Sequence, residues 1–196
     1  MLDLPDLLDA ERIRCGCELK SKKRTLQTLA ELLGASLRGD PPEGDGGGDG
    51  DGSPEGTVDG AAGAPARRAT PPDREDDAPP VVSDMDILDA LISRERLGST
   101  GLGHGIALPH SRIRDLAEPL AALVTLKDGV DFESGDGRPV DVVLGLLVPE
   151  DCSDEHLKIL ATLARRFSDE ELREALRACE DGPALLERLA ALPPLH

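Results

Sequence analysis

The chain has 196 residues, with 39 acidic side chains against 22 basic ones and a formal charge of −17 at pH 7. Such a surface is repelled by nucleic-acid phosphates and anionic lipid headgroups, which argues against both as targets. With no tryptophan or tyrosine and two phenylalanines, the core must be aliphatic, and no apolar run approaches the roughly 20 residues that cross a bilayer.

The opening Met1-Leu-Asp-Leu-Pro-Asp lacks the positive segment and apolar stretch of a signal peptide, so a soluble, cytoplasmic chain of one domain is expected. Arg14 to Leu19 reads as a short strand. Ser21 then caps a helix running through Leu37, with Leu26, Leu29, Leu33 and Leu37 at helical spacing.

From Gly39 to Pro80 the composition changes. These 42 residues hold 10 of the 21 glycines, 8 of the 16 prolines, 11 acidic and 3 basic side chains, one valine and no leucine, isoleucine, methionine or phenylalanine. Such a stretch cannot bury enough apolar surface to offset its chain entropy, so a disordered acidic insert acting as a linker is expected. The folded domain then comprises 1–38 and 81–196.

After the insert, Ser83 with Asp86 three residues later forms a capping box for a helix burying Ile87, Leu88, Leu91 and Ile92. Strands are predicted at Gly105–Leu108, Leu120–Leu126 and Val140–Val148; the last is almost continuously apolar, as for a strand covered on both faces. Ser153 starts a helix bearing Leu157, Leu160, Leu163, Ala164 and Phe167. Ser168 with Glu171 starts another, and Pro183 lies in the first turn of a last one ending before Pro193. Interleaved helices and strands make the class α/β with a layered sheet. Cys15, Cys17, Cys152 and Cys179 have no C-x-x-C spacing, and reduced structural thiols are expected rather than a zinc or redox site.

The chemistry concentrates in Gly98-Ser-Thr-Gly-Leu-Gly-His-Gly-Ile-Ala-Leu-Pro-His110. A Walker loop would need lysine where His104 stands, a dinucleotide fingerprint would need glycine at Ile106, and both motifs follow a strand whereas this loop follows a helix. No G-x-S-x-G is present for a serine hydrolase. His104 and His110 would share a face of an ideal strand, but Pro109 and the glycines break that geometry and no helical H-x-x-x-H pair accompanies them to complete a site, so neither a metal nor a cofactor is expected. A neutral imidazole at His110 is a nucleophile: attack on a phosphoryl donor gives phosphohistidine, provided one ring nitrogen is free, the other is held and cations meet the phosphoryl oxygens. Arg94 and Arg96 are candidates for that guanidinium fork. His156, three residues after Ser153 as the N-cap, lies where a helix N-terminus favours an anion. Spacing alone favours reading both arginines as solvated helix-end charges and His156 as an ordinary helix-surface residue.

Arg94 through His110 together resembles the active-site signature of the enzyme IIA components of the bacterial phosphotransferase system, of the mannitol/fructose/nitrogen-regulatory type. Pro149–Leu160, with Glu155-His156-Leu157, resembles the second signature, and Ser21-Lys-Lys-Arg-Thr-Leu looks like the nitrogen-regulatory branch. The resemblance implies a mixed, mainly parallel sheet with helices on both faces. It makes His110 the residue phosphorylated by an HPr-like phosphocarrier protein, Arg94 and His156 phosphate-stabilising groups, and Ser111, Thr100 and Arg96 further neighbours. Ser111 stands where many relatives have glycine and His104 where some have asparagine; the insert lies where relatives connect the first two helices briefly.

Three functions follow from that resemblance. The first is a phosphotransferase-type carrier whose phosphorylation state changes which regulatory targets it binds. The second is a sugar-specific IIA handing phosphate to a IIB component during uptake. The third is a non-catalytic binding module of the same fold. An acceptor must approach His110, so an apolar collar is expected, with Leu102 and Leu108 its candidates.

Overall fold

A computed structural model describes residues 4–39, 82–114, 116–151 and 153–191, the last stretch through its backbone alone at 153–155. The order is α1 (Leu4–Leu7), a 3-10 turn (Ala10–Arg12), β1 (Ile13–Cys17), α2 (Lys22–Arg38), α3 (Asp84–Arg96), β2 (Gly101–Gly103), β3 (Ile106–Ala107), β4 (His110–Ile113), β5 (Leu120–Val130), β6 (Val140–Pro149), α4 (Ser153–Phe167), α5 (Glu170–Arg177) and α6 (Gly182–Ala191). The predicted insert, apart from its first residue Gly39, lies outside the described residues. The described stretches on either side of it belong to one compact unit.

Helix ends follow local chemistry. Ser21 accepts from the Arg24 N–H and caps α2, while Gly39 closes it at φ 71°, where a side chain would be strained. Ser83 and Asp86 form the expected capping box of α3. Two starts differ from expectation. Helix α4 already includes Ser153, so that residue is not its N-cap. Asp169, not Ser168, caps α5 by accepting from the Glu171 N–H; the Ser168 hydroxyl instead donates to the Ala164 carbonyl at the end of α4. With two capping residues side by side, the carboxylate prevails.

The sheet runs β1-β5-β6-β3-β2, with β4 also on β6. Pairings β1·β5, β3·β6 and β4·β6 are parallel, and β5·β6 and β2·β3 antiparallel. This is the mixed, mainly parallel α/β sheet expected. Strand β6 is buried on both faces. Val142, Leu144, Leu146 and Val148 pack under α1, α4, α5 and α6, through residues such as Leu7, Leu163, Phe167 and Leu176. Val143 and Leu147 pack under α2 and α3, against a cluster including Leu29, Leu33 and Leu91. Between them Gly145 lets α2 approach: a Cβ there would come 3.2 Å from the Leu29 side chain. Leu33 is fully buried, and truncating such a leucine to alanine costs about 2–5 kcal/mol.

The strand expected at Gly105–Leu108 is the short β3, and two further short strands that were not expected, β2 and β4, flank it. Gly103, His104 and Gly105 all have positive φ, at 86°, 56° and 80°, and turn an antiparallel β2–β3 hairpin. Leu108-Pro109 then separates β3 from β4, both of which lie along β6. The cysteine expectation is also corrected: Cys15 and Cys179 form a disulfide, with Cα atoms 5.8 Å apart across a separation of 164 residues. Such proximity arises because α6 packs beside β1 and brings the turn before it there, which sequence spacing cannot report. Among the described residues no helix is long and apolar enough to cross a membrane.

Candidate functional site

Proline 109 places the key histidine. Lacking an N–H, it interrupts the edge of the ladder while its carbonyl still accepts from the Leu146 N–H at 2.9 Å. His110 is therefore the first residue of β4, paired with Leu146 of β6. Its Nδ1 lies 2.8 Å from the Leu108 carbonyl oxygen. Since a carbonyl can only accept, Nδ1 carries the proton and Nε2 the lone pair. Toward that lone pair Arg94, in the last turn of α3, donates from Nε at 3.1 Å, while its Nη1 donates to the Gly98 carbonyl at 3.1 Å.

His156, in the first turn of α4, brings its ring centroid to 5.5 Å from that of His110, edge to face at 64°. It is only 5% exposed, and its buried Nδ1 has no hydrogen-bond partner among the described residues. Burial depresses the pKa of both imidazoles below the usual histidine value. For His110 the Arg94 charge adds to the depression, against the opposing Leu108 hydrogen bond and Glu95 charge. For His156 the charges of His110, Arg112 and Arg94 reinforce burial. Both rings are thus neutral at neutral pH, the state a nucleophilic imidazole needs.

Around them lies an open cleft of about 440 Å³, lined by Ala90, Ser93, Arg94, Leu97, His110, Ser111, Arg112 and His156. It gathers four of the residues picked from sequence: His110, Arg94, His156 and Ser111. It does not gather the other two. Thr100 is 5% exposed and turned to the Glu95 carboxylate behind the site, and Arg96 is exposed and outside the lining. Arg112 and Leu97 were missed. Arg112 was readable in principle, since it stands two residues after His110 and strand alternation puts i and i+2 on one face.

The apolar collar is also different. Leu108 is core at 3% exposure, and Leu102 lines another cleft with His104. The leucine at the His110 cleft is Leu97, 85% exposed at the end of α3, and Leu157, next to His156, is 64% exposed.

A family described as "Phosphoenolpyruvate-dependent sugar phosphotransferase system, EIIA 2" matches residues 77–191. The chain belongs to this family. A nitrogen regulatory protein of Bradyrhizobium diazoefficiens is 42% identical over 108 residues, 55% of this chain and 70% of that one. A fructose-specific EIIA component of Haloferax volcanii is 36% identical over 110 residues, 56% of this chain and 71% of that one. Among solved structures, the nitrogen regulatory protein IIA-Ntr of Neisseria meningitidis superposes with a TM-score of 0.67 at 27% identity, covering 93% of this chain and 98% of that one.

The second cleft of this EIIA 2 chain, about 460 Å³, is lined by Gly101, Leu102, Gly103, His104, Gly135, Asp136 and Arg138. His104 enters there through its backbone: its N–H donates to Asp136 Oδ2 at 2.8 Å and its carbonyl accepts from Arg177 Nη2. The hairpin turn therefore directs the two histidines of the glycine-rich segment to different clefts.

Proposed function

We propose that this EIIA 2 chain is a cytoplasmic phosphohistidine carrier of the nitrogen-regulatory kind, charged at His110 by an HPr-like phosphocarrier protein and regulating the proteins it binds. The observation that carries this reading is the differentiated ring of His110, with one nitrogen tied to the Leu108 carbonyl and the other presenting its lone pair beside Arg94 in an open cleft.

The Nε2 lone pair attacks the phosphorus of the donor's phosphohistidine. A new N–P bond forms as the donor's N–P bond breaks, and the electron pair returns to the donor ring. His110 keeps its Nδ1 proton, shared with the Leu108 carbonyl, so the positive charge developing on the ring is held beside the negative phosphoryl oxygens. The incoming phosphoryl group displaces the Arg94 Nε contact, and the guanidinium then meets phosphoryl oxygens. His156 and Arg112 border the same space, and Leu97 and Leu157 offer apolar contact to donor and acceptor. Onward transfer is the reverse step to another nucleophile.

Residues 1–38 and 81–196 act as a single IIA-type domain in this reading, and 39–80 as a flexible acidic insert. Removing 40–80 should leave one cooperative melt; its loss would refute the linker role. The 36% identity to a fructose-specific EIIA supports a second reading, handover to a IIB component during sugar uptake. Incubation with phosphoenolpyruvate, enzyme I and an HPr-type protein, followed by phosphorus NMR, tests the carrier step. A phosphohistidine signal is expected, and its absence with several such donors would leave a binding module. Subsequent transfer to a purified IIB would favour the uptake reading over regulation.

A further inference from the structure

Directly beside Arg94 on α3 stands a buried carboxylate that does not face the His110 cleft. Glu95 is 8% exposed and is not among the residues lining that cleft. It accepts from the Thr100 hydroxyl at 2.5 Å and the Thr100 N–H at 3.1 Å, and it pairs with the Lys22 ammonium at 2.7 Å. Lys22, the first residue of α2, also reaches Glu133 at 3.1 Å and sits 5.5 Å from the centre of the Phe132 ring. Burial works against the ammonium, but hydrogen bonds to Glu95 and Glu133 outweigh it and hold the lysine above its usual pKa.

Two routes lead from Glu95 to the reacting nitrogen. The first runs through Thr100, whose carbonyl accepts from the Leu108 N–H at 3.0 Å; the Leu108 carbonyl in turn holds the Nδ1 proton of His110. The second runs through the main chain, where the Gly98 N–H donates to the Glu95 carbonyl at 3.2 Å and the Gly98 carbonyl receives Arg94 Nη1. The buried carboxylate, with one lysine as counter-charge, therefore holds the Thr100 end of the loop that sets the tautomer of His110, while the Gly98 contact that aims Arg94 uses only the Glu95 main chain.

We infer that Glu95, with Lys22 as its counter-charge, is a positioning residue for phosphoryl transfer, acting through Thr100 to keep the lone pair of His110 on Nε2. The inference rests on the carrier reading for its purpose but not for its test, because a tautomer is read without any phosphoryl donor. Misplacement of a reacting group by an ångström costs as much as a hundredfold in rate, so loosening this loop is felt at the chemistry although no substrate touches Glu95.

The experiment compares the full chain with Glu95→Ala and Glu95→Gln, each labelled with nitrogen-15 on histidine, above neutral pH. In the unsubstituted chain His110 should show a protonated Nδ1 and a bare Nε2. Glu95→Ala should average the two nitrogens and slow labelling from HPr by about tenfold or more, and Glu95→Gln, which keeps one acceptor oxygen for Thr100, should recover part of both. A cooperatively melting Glu95→Ala chain with the original tautomer would overturn the inference. Should that variant not fold, Thr100→Val combined with Glu95→Gln removes the hydroxyl contact and the charge that receives the Thr100 N–H, and an unshifted tautomer there would overturn it. Failure of the unsubstituted chain to accept phosphate would sink the carrier reading while leaving the tautomer arm to judge Glu95.

Discussion

Two clefts of nearly equal size flank one glycine-rich segment, and each holds a histidine. In the first, His104 turns a hairpin at φ 56° and contributes only its backbone to hydrogen bonds among the described residues. In the second, His110 has its two nitrogens set apart, one proton-bearing and one bare, beside a guanidinium and a second neutral imidazole. Cleft volume does not separate them. Asymmetric hydrogen bonding around the ring does, because a nucleophile needs a lone pair whose place is fixed before the donor arrives.

Replacing each histidine gives the largest contrast. His110→Ala should abolish phosphohistidine labelling outright, whereas His104→Asn, which tolerates left-handed backbone, should label at the original rate. Labelling that survives His110→Ala and fails in His104→Asn would reverse the assignment of the two clefts.

Next in size is Arg94→Ala. Losing a preorganised cation at developing phosphoryl charge typically costs about 10²–10³ in rate. The same truncation frees Nε2 of a hydrogen bond, so a rise in labelling rate would mean that Arg94 blocks the lone pair rather than guiding the phosphoryl group.

Much of this arrangement was legible in the chain. The capping box at Ser83 and Asp86 and the twice-covered strand from Val140 are local patterns, and local patterns survive folding; the placement of Arg94 beside His110 follows the signature segment that contains both. What escaped was non-local or decided by competition between neighbours. Asp169 outbids Ser168 as a cap although both precede the same helix. Leu108 reads like a collar residue but faces the core, because the chain crosses from β3 to β4 just there. Thr100 looked like a site neighbour, yet the Glu95 carboxylate draws it inward. Cys15 and Cys179 could not be matched by spacing, since only the packing of α6 beside β1 brings the turn that carries Cys179 to Cys15.

That disulfide lies on the scaffold side of the comparison. Two residues before Cys179, Arg177 makes a two-pronged ion pair with Asp141, at 2.8 and 3.0 Å, and also holds the His104 carbonyl. Treatment with dithiothreitol should therefore lower the stability of the oxidised chain by about 2–4 kcal/mol, the usual range for a bridge closing a long loop. Labelling at His110 should continue, because the contacts that orient its ring come from α3 and the Leu108 carbonyl. A urea midpoint unmoved by reduction would remove the bridge from the list of what holds the hairpin, and labelling lost on reduction would tie the two clefts together.

Acidification should produce the smallest effect and the one with a distinctive sign. Burial, reinforced by nearby arginine charge, lowers both His110 and His156 below the reference value of 6.5. Above that value the rings are neutral whether the chain is folded or not, and they contribute no dependence on pH. Below it the unfolded chain binds protons that the folded chain still refuses, so stability falls as pH drops from 6.5 toward the folded pKa values and levels off beneath them. Labelling follows the folded values instead, holding level through neutral pH and declining only once His110 itself protonates. Urea unfolding at about pH 7.5 and about pH 5.5 should show a loss in the unsubstituted chain that is smaller in His156→Gln, where one of the two titrating rings is gone. Equal losses in the two chains would mean that His156 is not held neutral, and the cleft would then contain one imidazole prepared for chemistry rather than two.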